Sequence, residues 1–145
     1  QSTVLQRALA MDADGNLDWL IELSDSSITY RSRYRAQPEW LPVLDLLLCD
    51  ETNPRSILFQ LDGILGALRK IAQTHGECGE QLLAPLREQL IALDTSRDFS
   101  YGNPALSDLL QRIGLASGAL SEQISVQFFS YTDNADNGRR RTRRS

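Results

Sequence analysis

Two stretches of the sequence carry the residue types that could do chemistry. In the first, Tyr30 and Tyr34 are four apart and share one helix face, Arg31 and Arg35 share the adjacent one, and Arg33 lies on a third. Arginines presented this way suit carboxylates and phosphates, which they bind through paired N–H donors. In the second, Asp45 stands among Leu41, Val43, Leu44, Leu46, Leu47 and Leu48. A helix so apolar on nearly every side is expected at the centre of a fold. An ionised carboxylate inside it needs a cation, because breaking a buried ion pair costs about 3–5 kcal/mol. Arg55 and the arginines of 31–35 are the nearest candidates in sequence. We therefore expect Tyr30, Arg31, Arg33, Tyr34, Asp45, Asp50, Asn53, Arg55 and Ser56 to gather as a polar cluster at one end of a helical bundle. The plainer alternative is that the three cations simply sit where a helix C-terminus favours positive charge, by about 0.3–1 kcal/mol each.

Other constellations carry less. Asp12-Ala13-Asp14-Gly15-Asn16 invites a calcium reading, but an EF-hand loop needs glycine at its sixth position and glutamate at its twelfth. Counted from Asp12, those positions fall on Leu17 and Leu23, so a turn is expected. His75 and Cys78 have metal-ligand spacing, yet His75 is the only histidine and Cys49 the only other thiol, so a zinc site would have to borrow carboxylates. No catalytic residue is assigned, since the lone His75 sits in a glycine-bounded loop with no obvious carboxylate orienter. Gly63 and Gly66 lie within an apolar helical stripe and read as a close-packing face, not a phosphate cradle. The run Arg139, Arg140, Arg141, Arg143 and Arg144 could neutralise phosphates, but no aromatic residue is interleaved to stack bases, so nucleic acid is not an expected partner.

The elements that must position these residues are helices. Leucine occurs 24 times and valine three times, and no segment sustains the apolar/polar alternation of a half-buried strand. A short helix is expected around 3–10 and a second over 17–35, ending before Pro38. A third covers 41–50, with Pro42 tolerable only in its first turn. A fourth starts with Asn53 as cap and Pro54 at the first helical position, then shows Ile57, Leu61, Ile64, Leu65, Leu68 and Ile71 as one buried face, closed by His75-Gly76. A fifth carries Leu83, Leu86, Leu90 and Leu93 as a narrow seam. A sixth repeats the start signal with Asn103-Pro104 and runs through Leu106, Leu109, Leu110, Ile113, Leu120, Ile124 and Phe128, where Gly114 and Gly118 would bend it or let another helix approach closely. Short connections between these segments predict an all-α, up-and-down bundle of five to six helices over 1–131, followed by a disordered basic tail over 132–145.

At 145 residues the chain is one ordinary domain, large enough for its own core without metal or disulfide support. Its net charge of -4 divides into an acidic body, -9 over 1–138, and a tail of five arginines. The longest apolar stretch falls far short of the ~20 residues a membrane span needs, so no membrane association is expected. Cys49 and Cys78 lack Cys-x-x-Cys spacing and are expected as free thiols in a cytoplasmic protein. The opening Gln1, with the sole methionine at Met11, reads as a segment of a longer polypeptide.

The order and spacing of Tyr30-Arg31-Ser32-Arg33-Tyr34, the run Leu41-Pro42-Val43-Leu44-Asp45-Leu46-Leu47-Leu48-Cys49-Asp50 and Asn53-Pro54-Arg55-Ser56 resemble the C-terminal part of the Alpha-E family, bacterial helical proteins of unknown function named for a Glu-Arg motif. The resemblance is closest over 28–61 and extends more loosely to 131, and the Glu-Arg motif itself does not occur here. Some relatives are fused to, or encoded beside, a circularly permuted ATP-grasp enzyme of the peptide-ligase type. The resemblance therefore implies a noncatalytic accessory or docking module acting with such a domain in cis or in trans. It implies no cofactor in this segment, with ATP and Mg belonging to the ATP-grasp partner. Two further readings stay open: a small-molecule or peptide site built on the Tyr/Arg/Asp cluster, and a cluster that only sets helix register. Seam leucines left bare would favour a homodimer.

Overall fold

The computed structural model of the chain describes residues 2–10, 22, 39–100 and 102–141, with backbone alone at 4, 8–10 and 130–141. Six helices occur among these residues and no strand: α1 (Ser2–Ala10), α2 (Trp40–Leu48), α3 (Ile57–His75), α4 (Glu80–Ile91), α5 (Thr95–Asp98) and α6 (Pro104–Arg141). Of the helix expected over 17–35, only Glu22 lies among the described residues, in helical conformation; the rest lies outside them. α2 packs on α3, α3 on α4, α4 on α6, and α1 on α6.

The leucine stripes explain that order. α2 buries Val43, Leu44, Leu46, Leu47 and Leu48, and at roughly 1.5–3 kcal/mol for each fully buried aliphatic side chain this burial dominates the placement of a nine-residue helix. Pro42 is accommodated because the first turn has no intrahelical acceptor for its missing N–H. α3 turns Ile57, Leu58, Leu61, Leu65 and Leu68 inward. Of the two isoleucines expected in the same face, Ile64 is exposed and Ile71 only partly buried, because the buried arc is centred on Leu61 and Leu65 with Leu58 on the far flank. α4 contributes Leu83, Leu86 and Leu90, while Leu93 falls beyond the helix end and is only partly buried. Pro85 stands inside α4 on its exposed side, where it removes a single backbone donor.

Polar contacts fix the direction of packing. Arg69 Nε meets Glu80 Oε1 at 2.7 Å near the α3–α4 loop, and Arg87 pairs with Asp62 further along, so the two helices run antiparallel. Arg112 reaches Asp108 on its own helix and Gln89 on α4, both at 2.8 Å. Such surface pairs contribute about 0–1 kcal/mol each, so they select register and leave the core to supply the energy.

α5 was not expected from the periodicity, being too short to show one. Asp94 starts it by accepting from the Ser96 N–H at 2.9 Å and the Ser96 hydroxyl at 2.6 Å. The following Phe99 is 1% exposed, and its carbonyl accepts from Trp40 Nε1 at 2.9 Å, which ties the start of α2 to the entry of α6. At that entry Asn103 behaves as expected. Its Oδ1 accepts from the Ala105 N–H, its carbonyl accepts from the Ser107 N–H, and Pro104 opens the helix. The backbone of α6 continues to Arg141, ten residues past the boundary at Tyr131 expected from the sequence.

Candidate functional site

Of the sequence-predicted cluster, Asp45, Asp50, Asn53, Arg55 and Ser56 lie along the end of α2 and its junction with α3. After Leu48 the N–H groups of Cys49 and Asp50 both donate to the Asp45 carbonyl, at 3.0 and 3.1 Å, which tightens the helix end. Asp50 then folds the chain back: its Oδ1 accepts from the Thr52 N–H at 2.9 Å and from the Thr52 hydroxyl at 2.7 Å. Asn53 makes a second turn of the same kind, Oδ1 accepting from the Arg55 N–H at 3.1 Å, while its Nδ2 donates to the Leu46 carbonyl at 2.9 Å. Ser56 closes the junction. Its hydroxyl donates to the Asp50 carbonyl at 2.6 Å and accepts from the Phe59 N–H at 3.0 Å.

This geometry corrects the expected start of α3. Asn53 and Pro54 do not open the helix; Ser56 is the N-cap and Ile57 the first helical residue. The reason is that Asn53, 2% exposed, commits its side chain to the preceding helix through Leu46 and to the turn through Arg55, leaving Ser56 to satisfy the helix N–H groups.

Asp50, Asn53 and Ser56 are thus buried together, whereas Asp45 is half-buried and Arg55 exposed. The fully buried carboxylate expected from the flanking leucines is therefore not what α2 presents: five apolar neighbours fill the inward arc, and Asp45 takes its edge. Asp45, Asp50 and Arg55 are each engaged by a partner. Tyr30, Arg31, Arg33 and Tyr34 lie outside the described residues. Burial, reinforced by the Asp45 carboxylate, pushes the neighbouring Cys49 thiol up to about 11. A thiol held protonated at neutral pH is a poor nucleophile and metal ligand.

Other sequence signals resolve into packing. Both cysteines are free. Cys78 donates its S–H to Gln127 Oε1 at 3.0 Å, and the His75 ring lies edge-on to Phe128 with centroids 5.4 Å apart, so the two residues of the suggested metal pair each face α6. No three of His, Cys, Asp and Glu converge as metal ligands among the described residues. Gly114 does allow close approach, since a Cβ there would lie 3.3 Å from the Ser2 hydroxyl of α1. Gly63, Gly66 and Gly118 meet no described atom within 4 Å, so the expected close-packing face at Gly63 and Gly66 is not formed among the described residues. Thr52 and Gln127 escaped the sequence reading. Asp-x-Thr is a visible turn signal for the first; nothing local could reveal the second, whose partner is 49 residues away.

A family model named Alpha-E, described as a predicted alpha-helical domain with a conserved ER motif, matches residues 2–129. The chain belongs to the Alpha-E family. No curated protein and no solved structure matches it. This Alpha-E chain contains no Glu-Arg dipeptide. Within the matched segment, the Asp50, Asn53 and Ser56 side chains all serve the backbone turn, and among the described residues no buried side-chain nitrogen or oxygen lacks a hydrogen-bond partner.

Proposed function

We propose that this Alpha-E chain is a noncatalytic helical accessory module that docks on, or regulates, an ATP-grasp enzyme of the peptide-ligase type. The observation that carries the noncatalytic reading is the α2–α3 junction. Its buried Asn53 and Ser56 side chains close a turn and cap a helix, with both amide atoms of Asn53 and the Ser56 hydroxyl occupied by backbone partners. Groups so committed set the angle between two core helices, which is what a docking module needs from them. The ATP-grasp partner comes from the resemblance alone; ATP and Mg would belong to that partner, and a bacterial cytoplasm suits two free thiols.

The test is co-purification of this chain with the cognate ATP-grasp portion, linked in cis and supplied in trans. Association is expected in at least one arrangement, and its absence from both overturns the proposal. A competing reading keeps Arg31, Arg33 and Arg55 as a binding site for a carboxylate or phosphate, favoured by the exposure of Arg55 at the rim of the junction. Thermal stabilisation by acidic ligands that vanishes in Arg31→Ala or Arg55→Ala would establish that reading instead.

A further inference from the structure

We propose that the turns of α6 over residues 119–129 form a latch over the α3–α4 loop that opens while the rest of the bundle stays folded. The two halves of α6 are anchored very differently. Leu106, Leu109, Leu110 and Ile113 are buried in the common core, whereas beyond Leu120 no side chain of 121–129 is buried, and Gln123, Ile124, Gln127 and Phe128 are only half covered. Between the halves stand Gly114 and Gly118, each a weak point in a helix by about 1 kcal/mol relative to alanine.

Among the described residues the latch meets one loop through a small set of contacts, and Val126 and Phe129 within it are engaged as well. Gly79, at φ +81°, leaves a slot for Leu120; a Cβ there would come within 2.6 Å of Leu120 Cδ1 and 3.1 Å of Gln123 Oε1. Gln127 clasps the loop with both ends of its amide, accepting from Cys78 Sγ at 3.0 Å and donating to the His75 carbonyl at 3.4 Å. Phe128 rests against the edge of His75. Opening costs these contacts and the core burial of Leu120, with Ile124 and Phe128 only partly packed against the core. That is fewer buried side chains than the turns over 104–113 would lose, which places the segment below them on the local stability scale. Beneath it lies Cys78, 1% exposed when the latch is closed, so its thiol reports the opening directly.

The experiment pulses the full chain with N-ethylmaleimide in native buffer, at urea concentrations below the unfolding transition, and separates the Cys49 and Cys78 peptides by mass spectrometry. Cys78 modification is expected to depend on urea much less steeply than global unfolding. Gln127→Ala should speed it about tenfold, because two hydrogen bonds are lost, with the urea midpoint of the bundle little changed. Hydrogen exchange provides a second readout: amides of 119–129 should exchange as a group ahead of those of 104–113. If Cys78 labels with the full urea slope of global unfolding, or if both halves of α6 exchange together at the global rate, the latch does not exist.

Discussion

Ser56 joins two helices through a single hydroxyl, donating backward to the Asp50 carbonyl and accepting from the first turn of α3. Ser56→Ala should cost about 1–2 kcal/mol in urea unfolding, since a cap is lost and the Asp50 carbonyl keeps only the Asn53 N–H of its two donors. Asn53→Asp should cost at least as much, about 1–3 kcal/mol, because an oxygen would replace the donor facing the Leu46 carbonyl. Cys49 gives the residue scale a pH signature. Its thiol titrates near 11 in the folded chain against 9.0 for an ordinary cysteine, so the folded state keeps a proton that the unfolded state has lost between these values. Stability should therefore be intact below pH 9 and decline as pH rises toward 11. Chemical unfolding across that range should show the decline in the parent chain and a shallower one in Cys49→Ser.

At the scale of elements, the Asn-Pro dipeptide occurs twice with different outcomes. Both asparagines accept the N–H two residues on and donate Nδ2 backward, Asn53 to Leu46 and Asn103 to Asp98. Only Asn103 also starts a helix; after Asn53 the chain needs two more residues before Ser56 takes that role. The local pattern was legible in the sequence, but the difference was not, because it depends on where the preceding helix ends relative to the next. The glycines divide in the same way. Gly118 is exposed inside α6 and meets nothing within 4 Å, so Gly118→Ala should raise stability by about 0.5–1 kcal/mol. Gly79→Ala should do the reverse by more than about 1 kcal/mol, being strained at positive φ and crowded against Leu120. Thermal denaturation of the two variants side by side checks both signs.

For the whole molecule, the net charge of -4 conceals an acidic body and an arginine-rich end, and the two contribute unequally to folding. Past Tyr131 the sequence offers no apolar stripe for a core to use. Ending the chain after Tyr131 should therefore shift the thermal midpoint by less than about 1 °C, measured by circular dichroism. An all-α fold and the core stripes of α2, α3, α4 and α6 were readable from spacing and residue type, because burial at 3.6-residue periodicity is a property of each helix alone; membership in the Alpha-E family was legible only through the resemblance of particular motifs. The tertiary structure decided the rest. It turned Asp45 to an edge, buried Asp50, Asn53 and Ser56 in one turn, drew out the small helix before Phe99, and set Gln127 over Cys78. Each of these depends on which helix end meets which loop, a matter of contacts between residues far apart in sequence that no local pattern encodes.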